Sequence, residues 1–350
     1  MLNESKYSYK ENVMDKFMRF VMAFIVLAML VASGYSARAD GLEEKKQQKQ
    51  QARSSSLHSF FRDRLSMRSV TLREKQLVRV SLGENAGIFS IGISGMVYVY
   101  EPDSKERQKL VGPATLTVRK DGKKIKIGDL VFEKEVILDP QRDEKFTYGK
   151  KEYDGVLHLI AGTSTIRVVE HTNVEDYLLG VVSPEMYPTA DIGALRAQAV
   201  AARSYALAKV ELRKGNSQYS YDVVDNTNDQ ADQGIGNIAQ SVFDAVQETY
   251  GEVLFKNGKI MMALYSANCG GNTITTPENW CCWGSPEIEG VTCGSCRPGY
   301  YSGHRRGMCQ VGAMNKALAG MDYKDILSYY YDRGRPYGSP KSTLRIEKYY

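Results

Sequence analysis

From residue 77 onward, hydrophobic and polar positions alternate in short runs: 77–82, 88–93, 96–100, 115–119, 130–138, 157–161 and 166–169. A period of two lines one face of a half-buried strand. Asp121-Gly122 and the sequence Glu101, Pro102, Asp103 stand between runs, residue types that favour turns. The pattern predicts a β-rich N-terminal domain over 76–165.

The period then changes. Residues 174–182 form a nearly continuous apolar run, read as a short strand that ends in one carboxylate, Glu185, just past Pro184. Apolar positions next recur at spacings of three and four (Ile192, Leu195, Ala199, Ala202, Ala206, Val210), which predicts a helix with one buried stripe. Asp191 is its expected N-cap and Gly215 its stop. A further helix is expected over 238–250. Segments 252–255 and 259–266 flank Asn257-Gly258, a dipeptide suited to the positive φ values of a tight hairpin. Two closing helices, 308–318 and 323–331, are separated by Gly320. Interleaved sheet and helices over 166–335, followed by a tail at 336–350, make the fold class α+β.

The N-terminus carries a different pattern. Lys16 and Arg19 precede an apolar run of 13 residues, 20–32, and then come Ala37, Arg38 and Ala39 before Asp40. This is the layout of a secretory signal peptide over 1–39, with Met14 a candidate start. The run falls short of the ~20 residues of a spanning helix, and an uncleaved anchor is the alternative. No cysteine follows it, which excludes a lipoprotein. Residues 40–75 are polar and low in complexity, a linker whose Phe60-Phe61 pair has no assigned role. The expected location is the cell wall or periplasm.

Charge and cysteines narrow the chemistry. A net charge of +5 suits work near an anionic wall polymer and is too small and dispersed to argue for nucleic acid. All six cysteines lie between Cys269 and Cys309. In an exported chain, disulfides are the expected state, and Cys281 and Cys282, being adjacent, would take different partners. The alternative is zinc on Cys281, Cys282, Cys293 and Cys296, since the last two have CxxC spacing. Otherwise no cofactor is expected. The 23 tyrosines, with Trp280 and Trp283, fit carbohydrate, because rings stack on the apolar faces of sugars.

Four blocks carry a resemblance. Residues 166–182, the segment 183–207 around Glu185 and the alanine-rich helix, 263–273 (ALYSANCGGNT) and 303–313 (GHRRGMCQVGA) with 325–330 follow one another as in the SpoIID/LytB proteins. The chain resembles that family over about 166–334. The resemblance implies an enzyme acting on peptidoglycan, a lytic transglycosylase with Glu185 as the catalytic acid, in which burial beside Met186 and Tyr187 would raise the carboxyl pKa. It implies substrate contacts from Gln198, Arg203, Tyr205, Ser266, Gly270, Gly271, His304 and Gln310. For Arg203 a structural ion pair is the competing reading; for Glu175 and Asp176, capping or solvated charge. The family also implies the alternative function, a non-catalytic enhancer that binds peptidoglycan and activates an N-acetylmuramoyl-L-alanine amidase. Two departures stand out: Arg305-Arg306 replace small residues in a loop that needs positive φ, and Ala231-Asp232 replace hydrophobic and aromatic ones. Asn228 and Asp229 stand where some relatives have metal ligands, so that site is not carried over. Asp225 and Gln230 remain sugar-binding candidates, with an Asx-turn the competing role for Asp225.

Overall fold

The computed structural model describes residues 77–350 apart from 103, 142, 215, 217 and 281–284. The expected signal peptide, the linker, and Cys281, Cys282 and Trp283 therefore lie outside the described residues. The described residues belong to one compact unit, Ser66–Tyr350. Among them, no helix is long and apolar enough to cross a membrane.

The alternating runs are strands: β1 (Leu77–Asn85), β2 (Phe89–Ile93), β3 (Met96–Tyr100), β4 (Gln108–Val111), β5 (Ala114–Asp121), β6 (Lys124–Ile127), β7 (Leu130–Phe132), β8 (Glu135–Pro140), β9 (Phe146–Tyr148), β10 (Lys151–Tyr153), β11 (Val156–Ala161) and β12 (Ile166–Asn173). The run at 130–138 is broken into β7 and β8, which lie in different sheets. With β13 (Val223–Val224) they form a seven-stranded sheet, β13-β1-β12-β11-β8-β3-β4, and a six-stranded one, β10-β9-β2-β5-β6-β7. Inward side chains of both sheets, among them Ile91, Val97, Val118, Ile125, Leu138, Leu157 and Val168, make one core. A bulge between Ser81 and Gly83 shifts the register of β1 against β12. Before it, Val78 and Val80 join a second core that lies against the helices, and Leu82 packs on both.

The helices are α1 (Val174–Glu185), α2 (Ile192–Arg213), α3 (Gln240–Glu248), α4 (Gln310–Leu318) and α5 (Tyr323–Tyr331). The first corrects an expectation, because the apolar run before Glu185 is helical. Hydrophobic content alone does not separate a buried strand from a buried helix. Here the deciding signals are polar. The Asn173 side chain accepts from the Glu175 N–H at the N-cap, and Glu175 and Asp176 favour the positive end of the first turn. Pro184 lies inside the last turn and has no N–H to offer the Gly180 carbonyl. The Gln233 N–H takes that carbonyl at 3.0 Å instead.

Helix α2 begins at Asp191, whose side chain accepts from the Gly193 N–H, as expected. Its burial exceeds one stripe: Ala194, Ala197, Val200 and Ala201 are fully buried, while Ile192 and Val210 at the two ends are only partly so. The helix is packed by α1, α3, α4, α5 and β14 (Glu252–Lys256). Alanines admit such close approach because they place only a methyl between backbones. β14 turns through Asn257 and Gly258, both at positive φ, into β15 (Lys259–Ile260). Two short ladders complete the site region. In the first, β16 (Tyr265–Ser266) runs parallel to β19 (Met308–Cys309); in the second, β17 (Asn268–Cys269) runs antiparallel to β18 (Tyr301–Ser302). The C-terminal segment adds β20 (Leu344–Lys348) to the free edge of β14.

Candidate active site

Glu185 is the last residue of α1, so its carboxylate leaves the helix at the point where the chain turns towards α2. It is half-buried. Oε1 accepts the Ala231 N–H at 3.1 Å, and Oε2 accepts from Gln310 Nε2 at 3.4 Å. Burial raises the Glu185 pKa above the ordinary carboxylate value, and those two donors oppose the rise. Met186 is buried, but the Tyr187 ring is exposed and does not supply the cover expected of it.

Gln310 is the first residue of α4, and the β16–β19 ladder sets its position by pairing Ser266 with Cys309. Its amide nitrogen also lies 3.4 Å from Gln198 Oε1 on α2. Gln198 is fully buried and its own amide nitrogen has no partner. The Ser266 hydroxyl beside this strand is likewise buried and unpartnered. Glu185, Gln198 and Gln310 thus converge from three segments separated in sequence. Tyr265, partly buried, is close enough to Glu185 for that carboxylate to raise its phenol pKa, after the larger effect of burial. It was not singled out from the sequence.

Other expected contacts are committed elsewhere. Arg203 has no solvent exposure and forks onto Glu175, with Nε to Oε1 at 2.8 Å and Nη2 to Oε2 at 2.7 Å. It also donates to the Val246 and Glu252 carbonyls. The structural ion pair is the reading that holds, and Glu175 is its buried partner rather than a solvated charge. The Tyr205 hydroxyl donates to Asp229 at 2.6 Å, where Lys209 also pairs at 2.8 Å. Gln230 is buried between Tyr177, Tyr265 and the Ala202 carbonyl. Asp225 pairs with Lys151 at 2.6 Å and accepts the Asp232 N–H. These groups stiffen the loop from 225 to 234, and with it the Ala231 N–H that reaches Glu185. That main-chain donor left no signal in residue identity.

Asp232 is buried at the heart of this loop. Burial first, then Asp225, pushes its pKa up to about 7 against the pull of the Gly234 N–H. It fits only because residue 180 is glycine: a Cβ there would stand 2.1 Å from Asp232 Oδ1.

The loop 263–273 is shaped by Gly270 and Gly271, at φ 67° and 102°. His304 is at the surface, its Nδ1 accepting the Arg306 N–H at 3.0 Å and the ring also bonding the Tyr265 backbone. Partial cover of the ring and the Arg306 cation lower its pKa, so the imidazole is neutral at pH 7. Arg305 adopts φ 62° and spends its guanidinium on the Cys269 and Asn272 carbonyls. Arg306 lies over Trp280, 4.5 Å from the ring centroid. Trp280 is half open to solvent, while both arginines brace the loop. Cys293 and Cys296 meet Cys269 and Cys309, all four buried and with free thiols, while Cys281 and Cys282 of the expected set lie outside the described residues.

Fold and site define an α+β protein that presents one carboxylate at the mouth of an alanine-rich helical core. Residues 162–255 match the SpoIID family (Stage II sporulation protein), and this domain match supports membership of that family. The match includes Glu185, Gln198, Arg203 and Tyr205 and ends before Ser266, His304 and Gln310. An uncharacterized protein of Brachyspira hyodysenteriae is 33% identical over 224 residues, which are 63% of this chain and 60% of that protein. The chain spans less than two thirds of that relative's length. The SpoIID domain supports a sporulation- or cell-wall-related function, the family being associated with action on peptidoglycan.

Proposed function

We propose that the protein is an exported lytic transglycosylase that cleaves peptidoglycan glycan strands, with Glu185 as its acid and base. The observation that carries this reading is Glu185 itself. It is a half-buried carboxyl of raised pKa, held by the Ala231 N–H and Gln310, in the domain whose family acts on peptidoglycan. A carboxyl whose pKa is raised holds its proton to higher pH, and can protonate the glycosidic oxygen as that bond breaks and positive charge develops on the sugar ring. The carboxylate left behind then takes the proton of the sugar's own 6-hydroxyl, whose oxygen closes a 1,6-anhydro ring. The acid ends protonated, as it began. No water nucleophile has to be held, so one carboxyl serves where hydrolysing glycosidases need two. Ala231 and Gln310 would stabilise the charged form between the steps, and the neutral His304 and exposed Trp280 would line the approach of the sugars.

Purified glycan strands, with and without stem peptides, digested by the full chain and by Glu185→Gln, test this. The expected result is 1,6-anhydro ends, seen by mass spectrometry, from the native chain alone. Binding without cleavage by either protein would overturn the enzyme and favour an amidase enhancer.

A further inference from the structure

We propose that Cys269, Cys293, Cys296 and Cys309 form a mononuclear tetrathiolate zinc site. Their four sulfurs lie within 4.8 Å of one another and are buried. A tetrahedral ion with Zn–S bonds of ~2.3 Å sets its sulfurs about 3.8 Å apart. Cys293 and Cys296 sulfurs are 4.0 Å apart, and those of Cys296 and Cys309 are 3.4 Å apart. Cys293 in turn faces both Cys309 and Cys269. This arrangement favours no pairing: the sulfurs surround a point, where two disulfides would require two separate close pairs. Spacing this tight accommodates a single ion and leaves no room for a cluster.

The surroundings suit thiolates. The Gly312 N–H points at Cys309 Sγ at 3.4 Å, with Cys309 as N-cap of α4, so the helix's positive end faces the sulfurs. The N–H groups of Gly271 and Ser295, each two residues beyond its cysteine, bond Cys269 and Cys293. The Tyr330 hydroxyl lies 3.2 Å from Cys293 Sγ. Such outer donors orient and stabilise metal-bound sulfur. Gly312 is required by the same packing, since a Cβ there would stand 2.3 Å from Cys293 Sγ. An all-sulfur tetrahedral set selects a soft ion, and with no open position the ion is structural rather than catalytic. Cys309 immediately precedes Gln310, so the ion would lock the loop 266–271, the loop 293–296 and the start of α4 into the arrangement that holds Gln310 against Glu185.

The full chain, produced with zinc and dialysed, would be assayed for metal by inductively coupled plasma mass spectrometry. Its cysteines would be alkylated under denaturing conditions without reductant, and the modified peptides mapped. The expected result is about one zinc per chain, with all four cysteines alkylated only once the protein is denatured in chelator. Cys296→Ser with Cys309→Ser loses the zinc, whereas Cys281→Ser with Cys282→Ser keeps it. Peptides joined by disulfides among the four, iron in place of zinc, or zinc lost from the Cys281/Cys282 variant while it stays folded would each overturn the site. If the ligand variant fails to fold, the metal content and alkylation map of the native chain decide.

Discussion

Arg203→Met separates a structural arginine from a substrate-binding one. The Arg203 and Glu175 side chains are 0% and 6% exposed, and the arginine makes both bonds of the fork as well as two to main-chain carbonyls. Removing the cation leaves the Glu175 carboxylate buried, with the Gly251 N–H and the Tyr350 hydroxyl as remaining donors. Breaking a buried pair from one side costs ~3–5 kcal/mol. At ~2–4 °C of melting temperature per kcal/mol in a domain of this order of size, Tm should fall by about 10 °C. Arg203→Lys keeps the charge but loses the fork, so its loss should be smaller. In the double variant Arg203→Met with Glu175→Gln no lone charge remains, and the loss should be less than the two single losses added, by ~1 kcal/mol or more. Calorimetry of the full chain, with glycan binding measured below the transition, is the assay. An Arg203→Met protein that melts within ~2 °C of the native chain, yet no longer binds glycan, would refute the reasoning and return Arg203 to the substrate site.

Three further outcomes are expected. Gln310→Ala removes a donor that lowers the Glu185 pKa, so the alkaline limb of the cleavage rate, where Glu185 loses its proton, should move to higher pH; a pH–rate profile with an unmoved limb would remove Gln310 from that role. Folded Asp232 holds its proton up to about 7 against an ordinary value of 3.8, so its contribution is full below pH 3.8 and is lost as pH rises through 7. Asp232→Asn keeps an acceptor for the Gly234 N–H and should stabilise the protein at pH 8 by up to ~4 kcal/mol in urea titrations, with little gain at pH 4. The buried Glu170 beside it leaves a residual slope of the same sign, and an equal gain at both pH values would contradict the argument. Gly180→Ala drives a methyl into Asp232 and should cost ~1–3 kcal/mol, and it should also slow cleavage by displacing the Ala231 N–H from Glu185; native stability and activity together would exclude the contact.

Much of the architecture follows from local pattern, because period and capping are properties of neighbouring residues. The alternation before residue 170, the Asp191 cap of α2, the Asn257-Gly258 hairpin and the two closing helices could all be read along the chain. Glu185 was legible for another reason: the wording around it resembles a family. The failures have a common cause. Residues 174–182 looked like a strand because apolar content does not encode period when every face is buried, and α2 shows the same effect in its burial on several sides. Arg203 and Tyr205 have side chains suited to sugar, and only packing turns them inward onto Glu175 and Asp229. Ala231 acts through its backbone, which residue identity does not disclose. Cys269 and Cys309 are separated by loops from Cys293 and Cys296, and tertiary contact alone brings the four sulfurs together. The chain by itself determined most of its elements, since those depend on neighbours in sequence, and it singled out Glu185 as the candidate acid through the family wording around it. Which polar groups face that acid, and which are consumed in holding it, depended on distances through space that only the folded structure sets.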